Sequence, residues 1–483
     1  MDIVYRNDLV LLLLSLLLTG CAQEQIRPDA SVSCDLELLD LHRTAVERGV
    51  NDVQTQPVGK YPYLRMDRLL WSLLPVLETE AQRIEWGRLS MQSGLRALRA
   101  DHGNLASNVS LASLTACVER QSKELTTRGE NMKRLGMKPY PREYLPIYRV
   151  LGLYPLSRHL MLSQLGPLHD ELRERYRSGA VQPVRTYAPR QGTPLGAQEI
   201  AAWLAEVIDR SPLGLPYLDE QRQQRLLAHF APVWEVETLD NHDLPGMPGW
   251  TKEALSFDTR QPVTFAQISY THWKGRLLLQ VSYMIWFDER PSHNLVDIYA
   301  GRLDGVILRL TLDTAGRPLV LDSIHPCGCY HTVVPLDSNL RLRSAETLGE
   351  TPLLLQGPSG AWTAGKRLRV VISSGDHMLI GLRWGDDQST NETYTLLPLD
   401  TLRSTVSHSG TTRSLYSPPY GLIDGTERLE RFLLWPSGIV SPGAMRQWGR
   451  HAIAFSATRH FDDPDLLEQL FEAEDSPADE LGH

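Results

Sequence analysis

The sequence predicts an α+β fold in which an N-terminal helical module is followed by a mainly antiparallel β module with a few flanking helices. Two observations predict this class. Apolar residues recur at helical spacing within residues 31–178, which is typical of amphipathic helices. From about residue 263 the chain instead carries short runs rich in β-branched and aromatic residues, separated by glycine, proline and aspartate, which is typical of strands. A chain of 483 residues with 22% charged residues is long enough for two or three globular domains.

The helical module, residues 31–178, is predicted from the spacing of its leucines. Apolar side chains fall at helical intervals from Leu69 to Leu98, and Pro75 is expected to kink this run or to start a new helix. Ser110 is a candidate N-cap for a helix that begins at Leu111. Another helix is expected over residues 158–176. Because chemically reactive residue types are not clustered here, we interpret the region as a packing or interaction module.

Residues 179–196 are rich in glycine, proline, arginine and glutamine and lack periodicity, so we interpret them as a linker. The β module, residues 197–470, opens with two amphipathic helices at about 197–209 and 219–230. Six strands are then predicted, at residues 277–287, 306–312, 319–324, 368–373, 378–384 and 393–397, with a tight turn at 313–316. A helix at about 465–472 and an acidic tail, residues 471–483, complete the chain, and residues 472–480 of the tail are expected to be disordered.

An apolar segment lies at the start of the chain. Leu11–Leu18 is interrupted only by Ser15 and runs into the tetrapeptide Leu18-Thr19-Gly20-Cys21. The apolar stretch of about ten residues is shorter than the roughly 20 that a membrane-spanning helix requires, so a signal peptide fits better. The tetrapeptide resembles the lipobox of bacterial lipoproteins, in which the cysteine is diacylated and the preceding residues are removed.

This resemblance implies a location in the bacterial cell envelope. Residues 1–20 would be the signal peptide, Cys21 the lipidation site and residues 21–30 a short polar tether. Ala22 follows the cysteine, whereas in enterobacterial lipoproteins an aspartate at that place retains the protein in the inner membrane. The resemblance therefore implies the periplasmic face of the outer membrane, with lipid as the membrane anchor. The mature chain resembles uncharacterised proteobacterial envelope proteins, a resemblance that implies no activity.

The sequence contains five cysteines, and an oxidising periplasm favours disulfides. Cys34 and Cys117 both lie in helical sequence and are the natural pair. Their disulfide would close a loop of about 80 residues and stabilise the fold by roughly 4 kcal/mol in the chain-entropy model. Two buried free thiols are the alternative.

The segment His325–His331, with the sequence HPCGCYH, has metal-ligating residue types at alternate positions. In a straight strand these side chains would lie about 6.7 Å apart, too far for tetrahedral zinc, whose donor atoms lie within about 4 Å of one another. Pro326 and Gly328 would let the chain turn, so that two or three ligands could share one ion. Zinc is the expected metal and copper the second choice; a Cys327–Cys329 disulfide or two free thiols are the alternatives. The predicted ligands are His325, Cys327, Cys329 and His331.

Further metal ligands and a general base would come from elsewhere in the fold. His272 and His377 are weaker ligand candidates, because each lies in or beside a predicted strand. If zinc keeps an open coordination position, it lowers the pKa of a bound water to about 7 and makes it a nucleophile. Glu289 or Asp322 could then act as the general base; both are weak catalytic candidates chosen by proximity in the sequence.

Two functional hypotheses follow. The first is a non-catalytic scaffold or binding lipoprotein with a possible metal site at the loop and an envelope protein or peptidoglycan as its partner. The alternative is a zinc-dependent hydrolase that acts on envelope peptide or peptidoglycan. The formal net charge of −9 and the lack of a basic stripe argue against nucleic acid as a partner. The sequence contains no G-x-S-x-G, H-E-x-x-H, P-loop or dinucleotide-binding motif.

Overall fold

The structure is a computed structural model that describes residues 30–127, 140–385, 392–406 and 410–473, apart from positions 191, 193, 253, 293 and 295. Within these ranges the chain forms eleven helices, one large curled sheet of eleven strands and four two-stranded sheets. The predicted α+β class, with a mainly β module after a helical one, is confirmed. The predicted signal peptide, Cys21 and most of the acidic tail lie outside the described residues.

The N-terminal module packs helices around a small β-hairpin. Its helices are α1 (Ala30–Glu47), α2 (Arg68–Leu73), α3 (Glu80–Asn104) and α4 (Leu111–Thr127), and its hairpin consists of β1 (Gln56–Val58) and β2 (Tyr61–Met66). The helical run breaks near Pro75, where residues Leu74–Val76 form a 3-10 turn. The hairpin is absent from the sequence prediction, because its strands are too short to establish a periodicity of two.

A disulfide ties this module together. Cys34 in α1 and Cys117 in α4 are bonded, with Cα atoms 6.0 Å apart and a sequence separation of 83 residues. The structure thus joins the predicted pair. Helix α4 begins after Ser110, whose Oγ accepts a hydrogen bond from the backbone N–H of Ser113 (3.3 Å), as an N-cap residue does.

Four helices connect the module to the sheet or cover it. They are α5 (Pro146–Leu151), α6 (Tyr154–Ser178), α7 (Ala197–Arg210) and α8 (Glu220–Phe230). Helices α7 and α8 place Leu204 and Leu226 in the same buried core as the strands. Within the described ranges, no helix has both the length and the apolar character needed to cross a bilayer.

The remaining strands follow in chain order. They are β3 (Val184–Pro189), β4 (Val233–Glu237), β5 (Met247–Trp250), β6 (Leu255–Asp258), β7 (Val263–Trp273), β8 (Arg276–Arg290), β9 (Gly301–Leu312), β10 (Pro318–Ile324), β11 (Thr332–Pro335), β12 (Leu340–Leu342), β13 (Leu353–Leu354), β14 (Arg367–Ile372), β15 (Leu379–Gly385), β16 (Glu392–Pro398), β17 (Thr405–Val406), β18 (Thr412–Arg413) and β19 (Phe471–Ala473). Three short helices, α9 (Ala345–Leu348), α10 (Arg431–Leu434) and α11 (Leu466–Leu470), lie in connections. All six predicted strands are present, with small shifts at their ends.

The large sheet has the order β13-β11-β10-β9-β8-β7-β16-β3-β4-β14-β15. Strands β7 to β10 form an antiparallel meander, while β16 runs parallel to both β3 and β7. The predicted turn between β9 and β10 is closed by a hydrogen bond from the Asp313 N–H to the Arg317 carbonyl oxygen (2.8 Å). The sheet is therefore mixed, with antiparallel pairs in the majority.

Both faces of the central strands are covered. In β8, Tyr283 and Ile285 pack with α7 and α8, whereas Met284 and Trp286 pack into a second core with C-terminal residues such as Phe461. A strand that is buried on both faces has a continuous apolar sequence instead of an alternating one. This explains why the apolar run 277–287 predicts a strand although it lacks a period of two.

Two predicted segments differ from the structure. The interpretation of residues 179–196 as a linker is wrong for Val184–Pro189, which forms β3 and pairs with β4 and β16 inside the sheet. Glycine and proline on either side of this short strand conceal it in the sequence. The helix predicted at about 465–472 ends at Leu470. Residues 471–473, where the predicted helix gives way to the acidic tail, instead pair with β12 as strand β19.

Candidate functional site

The segment His325–Cys329 is a tight turn that joins β10 to β11. The N–H of His325 donates to the carbonyl oxygen of Cys329 (3.0 Å), and the N–H of Gly328 donates to that of His325 (2.8 Å). Gly328 has a φ of +93°, and a Cβ atom there would lie 2.3 Å from the carbonyl oxygen of Ala452. Only glycine fits this position without strain. The chain therefore reverses at the proline and glycine, as the sequence predicts.

The turn does not bring its two histidines together. His325 Nδ1 lies 3.1 Å from Asp304 Oδ1, and His331 Nε2 lies 3.8 Å from Asp322 Oδ2. Asp322 is paired across the strands with Arg309. Arg309 and Asp304 are an odd number of positions apart in β9, so their side chains point to opposite faces. The two imidazoles consequently contact different carboxylates on opposite faces of the sheet.

On the first face, buried acids and imidazoles alternate in a line that we call the His–Asp chain. Its members are Asp243, His377, Asp304 and His325. His377 lies between the two acids, with Nδ1 3.0 Å from Asp304 Oδ2 and Nε2 3.6 Å from Asp243 Oδ1. Arg428 Nη2 lies 3.4 Å from Asp304 Oδ1. No member is more than 3% exposed, so the chain is closed to bulk water.

The contacts in the His–Asp chain favour its charged forms. Burial opposes the charge of Asp304, but the charges of His325 and Arg428 hold its pKa well below the usual value. Burial also opposes the charge of Asp243, but the nearby His377 imidazole and hydrogen bonds from backbone N–H groups and the Ser374 hydroxyl lower its pKa. Burial lowers the pKa of His377, but the hydrogen bond to Asp304 and the nearby Asp243 carboxylate outweigh this and raise the pKa above its usual value. The arrangement thus stabilises two carboxylates and an imidazolium between them.

The turn at residues 373–377, which joins β14 to β15, positions two members of this chain. The Gly375 N–H donates to Asp243 Oδ1 (2.8 Å), and the Ser374 hydroxyl donates to Oδ2 (2.8 Å). His377 itself has a φ of +50°, a left-handed conformation that costs a non-glycine residue on the order of 1 kcal/mol. Its ring stacks on Phe287 with centroids 4.0 Å apart. The two carboxylates and this stacking hold the residue in its unfavourable backbone conformation.

Sequence reasoning missed Asp304, Asp243 and Arg428. A signal exists at Asp304, because it is an ionisable residue shortly before the apolar run Val306–Leu308 of β9, and a charge in a buried strand requires a partner. Asp243 ends a single 3-10 turn, Asn241–Asp243, and Arg428 lies in an irregular segment, so no periodicity separates a buried charge from an exposed one.

On the second face, Asp322 and Arg309 form a buried ion pair. The guanidinium donates through Nε to Oδ1 (2.9 Å) and through Nη2 to Oδ2. It also stacks on Phe461, 3.7 Å from the ring centroid. Burial opposes the charge of Asp322, but the charge of Arg309 and further hydrogen bonds lower its pKa below the usual value. A carboxylate held ionised in this way is a weak proton acceptor, so this general-base candidate lies in a structural pair.

The two loop cysteines are free and buried. The Cys329 N–H points at Cys327 Sγ (3.4 Å). Burial opposes ionisation of Cys327, but a hydrogen bond from the Cys329 thiol and the charge of Arg428 lower its pKa. The same hydrogen bond, together with burial, raises the pKa of Cys329 well above its usual value. Within the pair, Cys327 is therefore the thiol that ionises more easily.

The other candidates lie apart from the turn. His272 in β7 contacts α2, with Nε2 3.4 Å from Ser72 Oγ, and Glu289 is exposed near the end of β8, opposite Arg302. Across the described ranges, no group of three or more His, Cys, Asp or Glu side chains is arranged to hold a metal ion. Zinc or copper at the loop stays a prediction.

A solvent-open cavity of about 580 Å³, which we call the sheet-end cavity, lies over β4, β14 and β15. The start of β3, the C-terminal end of α6 and residues 356–359 complete its walls. Glu235 is buried at its floor and accepts hydrogen bonds from Arg369 (2.6 Å) and Arg383 (2.5 Å). Arg383 is 58% exposed. The cavity is within the usual size range of small-ligand sites, roughly 300–1,000 Å³.

The cavity and the His–Asp chain are connected through one ion pair. Arg175 of α6 binds both oxygens of Asp376 (2.6 and 2.9 Å), and Asp376 precedes His377 in the turn. Tyr176, the next residue of α6, lines the cavity and donates its hydroxyl to the Gln356 carbonyl oxygen (2.7 Å). The position of the cavity wall is thereby linked to the turn that holds His377.

Comparison of the chain with protein-family models, with curated proteins and with solved structures finds no match. Function is therefore inferred from the chemistry of the chain's own residues.

Proposed function

We propose that the chain is a lipoprotein anchored by Cys21 to the periplasmic face of the outer membrane, and that it is a binding protein. Its proposed ligand is a peptide that carries carboxylate groups, such as the stem peptide of peptidoglycan. The proposed binding site is the sheet-end cavity. The observation that carries the proposal is the buried Glu235, held between Arg369 and Arg383 at the floor of this cavity.

The proposed outer-membrane location is based on the sequence before Cys21. A short leucine-rich core directly before Leu-Thr-Gly-Cys is typical of lipoprotein export and processing. The Cys34–Cys117 disulfide agrees with an oxidising compartment.

Burial of the histidine loop argues against a catalytic role for it. Both of its imidazoles contact carboxylates within the fold, and neither side chain is more than 4% exposed. A catalytic acid or base must come within hydrogen-bond reach of a substrate. A buried His–Asp chain with ionised members is better suited to fixing the shape of the sheet next to the cavity.

The cavity offers charges of both signs with apolar walls. Val371 and Leu382 contribute apolar surface, while Glu235 neutralises one of the two guanidiniums bound to it, so the cluster keeps a net positive charge. The exposed guanidinium of Arg383 can donate two parallel hydrogen bonds to a ligand carboxylate. Such a combination suits a short peptide with carboxylate groups better than a purely apolar ligand.

The ligand is tested by calorimetric titration of synthetic stem peptides that contain diaminopimelate into the chain beginning at Ala22. Replacement of Arg383 by alanine is expected to weaken binding at least tenfold, because a guanidinium–carboxylate pair is lost. Arg302→Ala is the matched control, since Arg302 is also an exposed arginine on a strand and is ion-paired, with Asp288 (2.8 Å). Undetectable binding by the unmodified chain, or equal affinity of the Arg383→Ala variant, contradicts the proposed ligand.

The anchor is tested by metabolic labelling with palmitate in a bacterial host, followed by separation of the two membranes. We expect label on the unmodified protein in the outer membrane and no label on Cys21→Ser. The variant Ala22→Asp is the control: it is expected to keep the label and to move to the inner membrane. Label that persists on Cys21→Ser, or its absence from the unmodified protein, refutes the anchor.

A further inference from the structure

Helices α5 and α6 expose an unusual amount of apolar surface, which we call the apolar face. It consists of Ile147, Val150, Leu151, Leu153, Leu156 and Leu160. These side chains are 56–70% exposed, whereas large exposed apolar patches are rare on proteins that have no partner at that surface. Leu153, Leu156 and Leu160 follow the spacing that places residues on one side of a helix.

The apolar face continues onto a second segment. The 3-10 turn at residues 435–437 packs on α5, with the rings of Trp435 and Tyr148 6.1 Å apart and the Leu145 N–H bonded to the Gly438 carbonyl oxygen (2.8 Å). Helix α10 lies directly before this turn and exposes Phe432 and Leu433 by about 60%. Two separate parts of the sequence therefore present large apolar side chains in one region of the surface.

Positive charge accompanies the apolar face. Residues 141–168 contain Arg142, Arg149 and Arg158 but one acid only, Glu143. That acid is buried and bound to Arg450 (2.8 Å). The guanidinium of Arg149 lies over the Tyr154 ring, 4.4 Å from its centroid. Arg149 also donates to the carbonyl oxygens of Ser437 and Ala457 (2.6 and 2.9 Å). The segment that carries the apolar face is therefore basic in a chain with a net charge of −9.

We propose that the apolar face docks on a lipid bilayer rich in anionic headgroups. Leucine and phenylalanine that enter the interface, together with arginine and aromatic side chains at the level of the headgroups, are the pattern of interfacial membrane binding. The inference rests on the proposed function, in which lipid on Cys21 holds the chain beside a membrane. The nine residues 22–30 can span at most about 30 Å, so the folded part stays close to the bilayer.

The experiment uses the chain beginning at Ala22, which carries no acyl group, and measures co-sedimentation with vesicles of phosphatidylethanolamine and phosphatidylglycerol. Vesicles of phosphatidylcholine are the neutral comparison. We expect binding to the anionic vesicles, at least tenfold weaker partitioning of Leu156→Glu/Leu160→Glu, and weaker binding in high salt. Leu239→Glu/Val406→Glu is the matched control, because these apolar side chains are exposed to a similar degree outside the apolar face. It is expected to bind as the unmodified chain does.

Three results overturn the inference: no binding of the unmodified chain to anionic vesicles, equal binding of both double variants, or sedimentation velocity showing that the face joins two copies of the chain. If Leu156→Glu/Leu160→Glu fails to fold, Arg142→Glu/Arg158→Glu replaces it, with the same expected loss. Because the probe carries no lipid, the outcome is independent of palmitate labelling. Vesicle binding without acylation at Cys21 supports the inference alone, and acylation without vesicle binding supports the proposed function alone.

Discussion

Asp304 is the residue on which the buried charges of the first sheet face converge. Its two oxygens contact His325 and His377, and Arg428 lies beside it. None of these groups can recover hydration if the carboxylate loses its charge, because all are buried. The stability of this part of the fold should therefore depend strongly on one side chain.

We expect Asp304→Asn to lower the free energy of unfolding by about 3–5 kcal/mol, the range for removing one partner of a buried charge cluster. Urea unfolding of the chain beginning at Ala22 measures the change. Asp288→Asn is the control, since Asp288 is half exposed and pairs with Arg302 at the surface; it should change stability by less than about 1 kcal/mol. Equal effects of the two variants would show that the His–Asp chain is not a stabilising unit.

The pKa shifts predict how stability depends on pH. Because the pKa of His377 is raised in the folded state, its charged form contributes fully below its unfolded pKa of about 6.5, and the contribution is lost as the pH rises through the folded value. The lowered pKa values of Asp243 and Asp304 make their contribution fully present above about pH 4. Between about pH 4 and pH 6.5, the stabilising contributions of His377 and of the two aspartates are therefore all present.

We therefore expect His377→Gln to be more destabilising at about pH 5.5 than at about pH 9. Taking the difference from the unmodified chain at each pH cancels the other buried histidines, such as His229, whose pKa burial lowers to about 4. Urea unfolding at both pH values gives the measurement, with the exposed His159→Gln as a control. A destabilisation that is constant or larger at high pH contradicts the proposed charge state.

At the scale of elements, the β10–β11 turn depends on one glycine. Gly328 combines a φ of +93° with a backbone neighbour so close that a Cβ atom would overlap it. Gly425 also has a positive φ, +85°, but no atom lies within 4 Å of where its Cβ would be. Substitutions at the two glycines therefore distinguish the free-energy cost of a positive φ from the cost of steric overlap.

We expect Gly425→Ala to destabilise the fold by about 1 kcal/mol and Gly328→Ala by at least about twice that, because the Ala452 carbonyl must also move. Thermal unfolding of both variants gives the comparison. Equal shifts would mean that the turn can relax away from Ala452 without cost.

The sequence predicts elements far better than it predicts the site. The apolar run of β8 and the Ser110 cap of α4 are local patterns, so they are readable without the fold. The position of His325 is set by Asp304 on a neighbouring strand, and that of His377 by Asp243 in a loop, so neither partner follows from spacing along the chain. The linker interpretation failed at β3 for the same reason, because its partners β4 and β16 are distant in sequence.

At the scale of the molecule, the number of reactive thiols shows which cysteines are disulfide-bonded. With Cys34 bonded to Cys117 and Cys327 and Cys329 free and buried, we expect two thiols per chain beginning at Ala22 to react after unfolding without reductant, and slow reaction before it. Thiol titration gives the count, and elemental analysis of the same sample tests for zinc or copper. No reactive thiol after unfolding would indicate a Cys327–Cys329 disulfide. Stoichiometric metal that is lost in Cys327→Ser/Cys329→Ser would place an ion at the loop.

The position of β16 has a consequence for how the protein reaches its native state. Glu392 pairs with Tyr187 and Thr395 pairs with Val263, so the strand that bridges the two halves of the sheet arrives late during synthesis. Until residue 398 is available, β3 and β7 each present an unsatisfied edge, which is an aggregation hazard. Such high contact order slows folding. A polypeptide translocated unfolded and released only when complete would avoid this exposure, and premature folding in the cytoplasm would be disfavoured by the same topology.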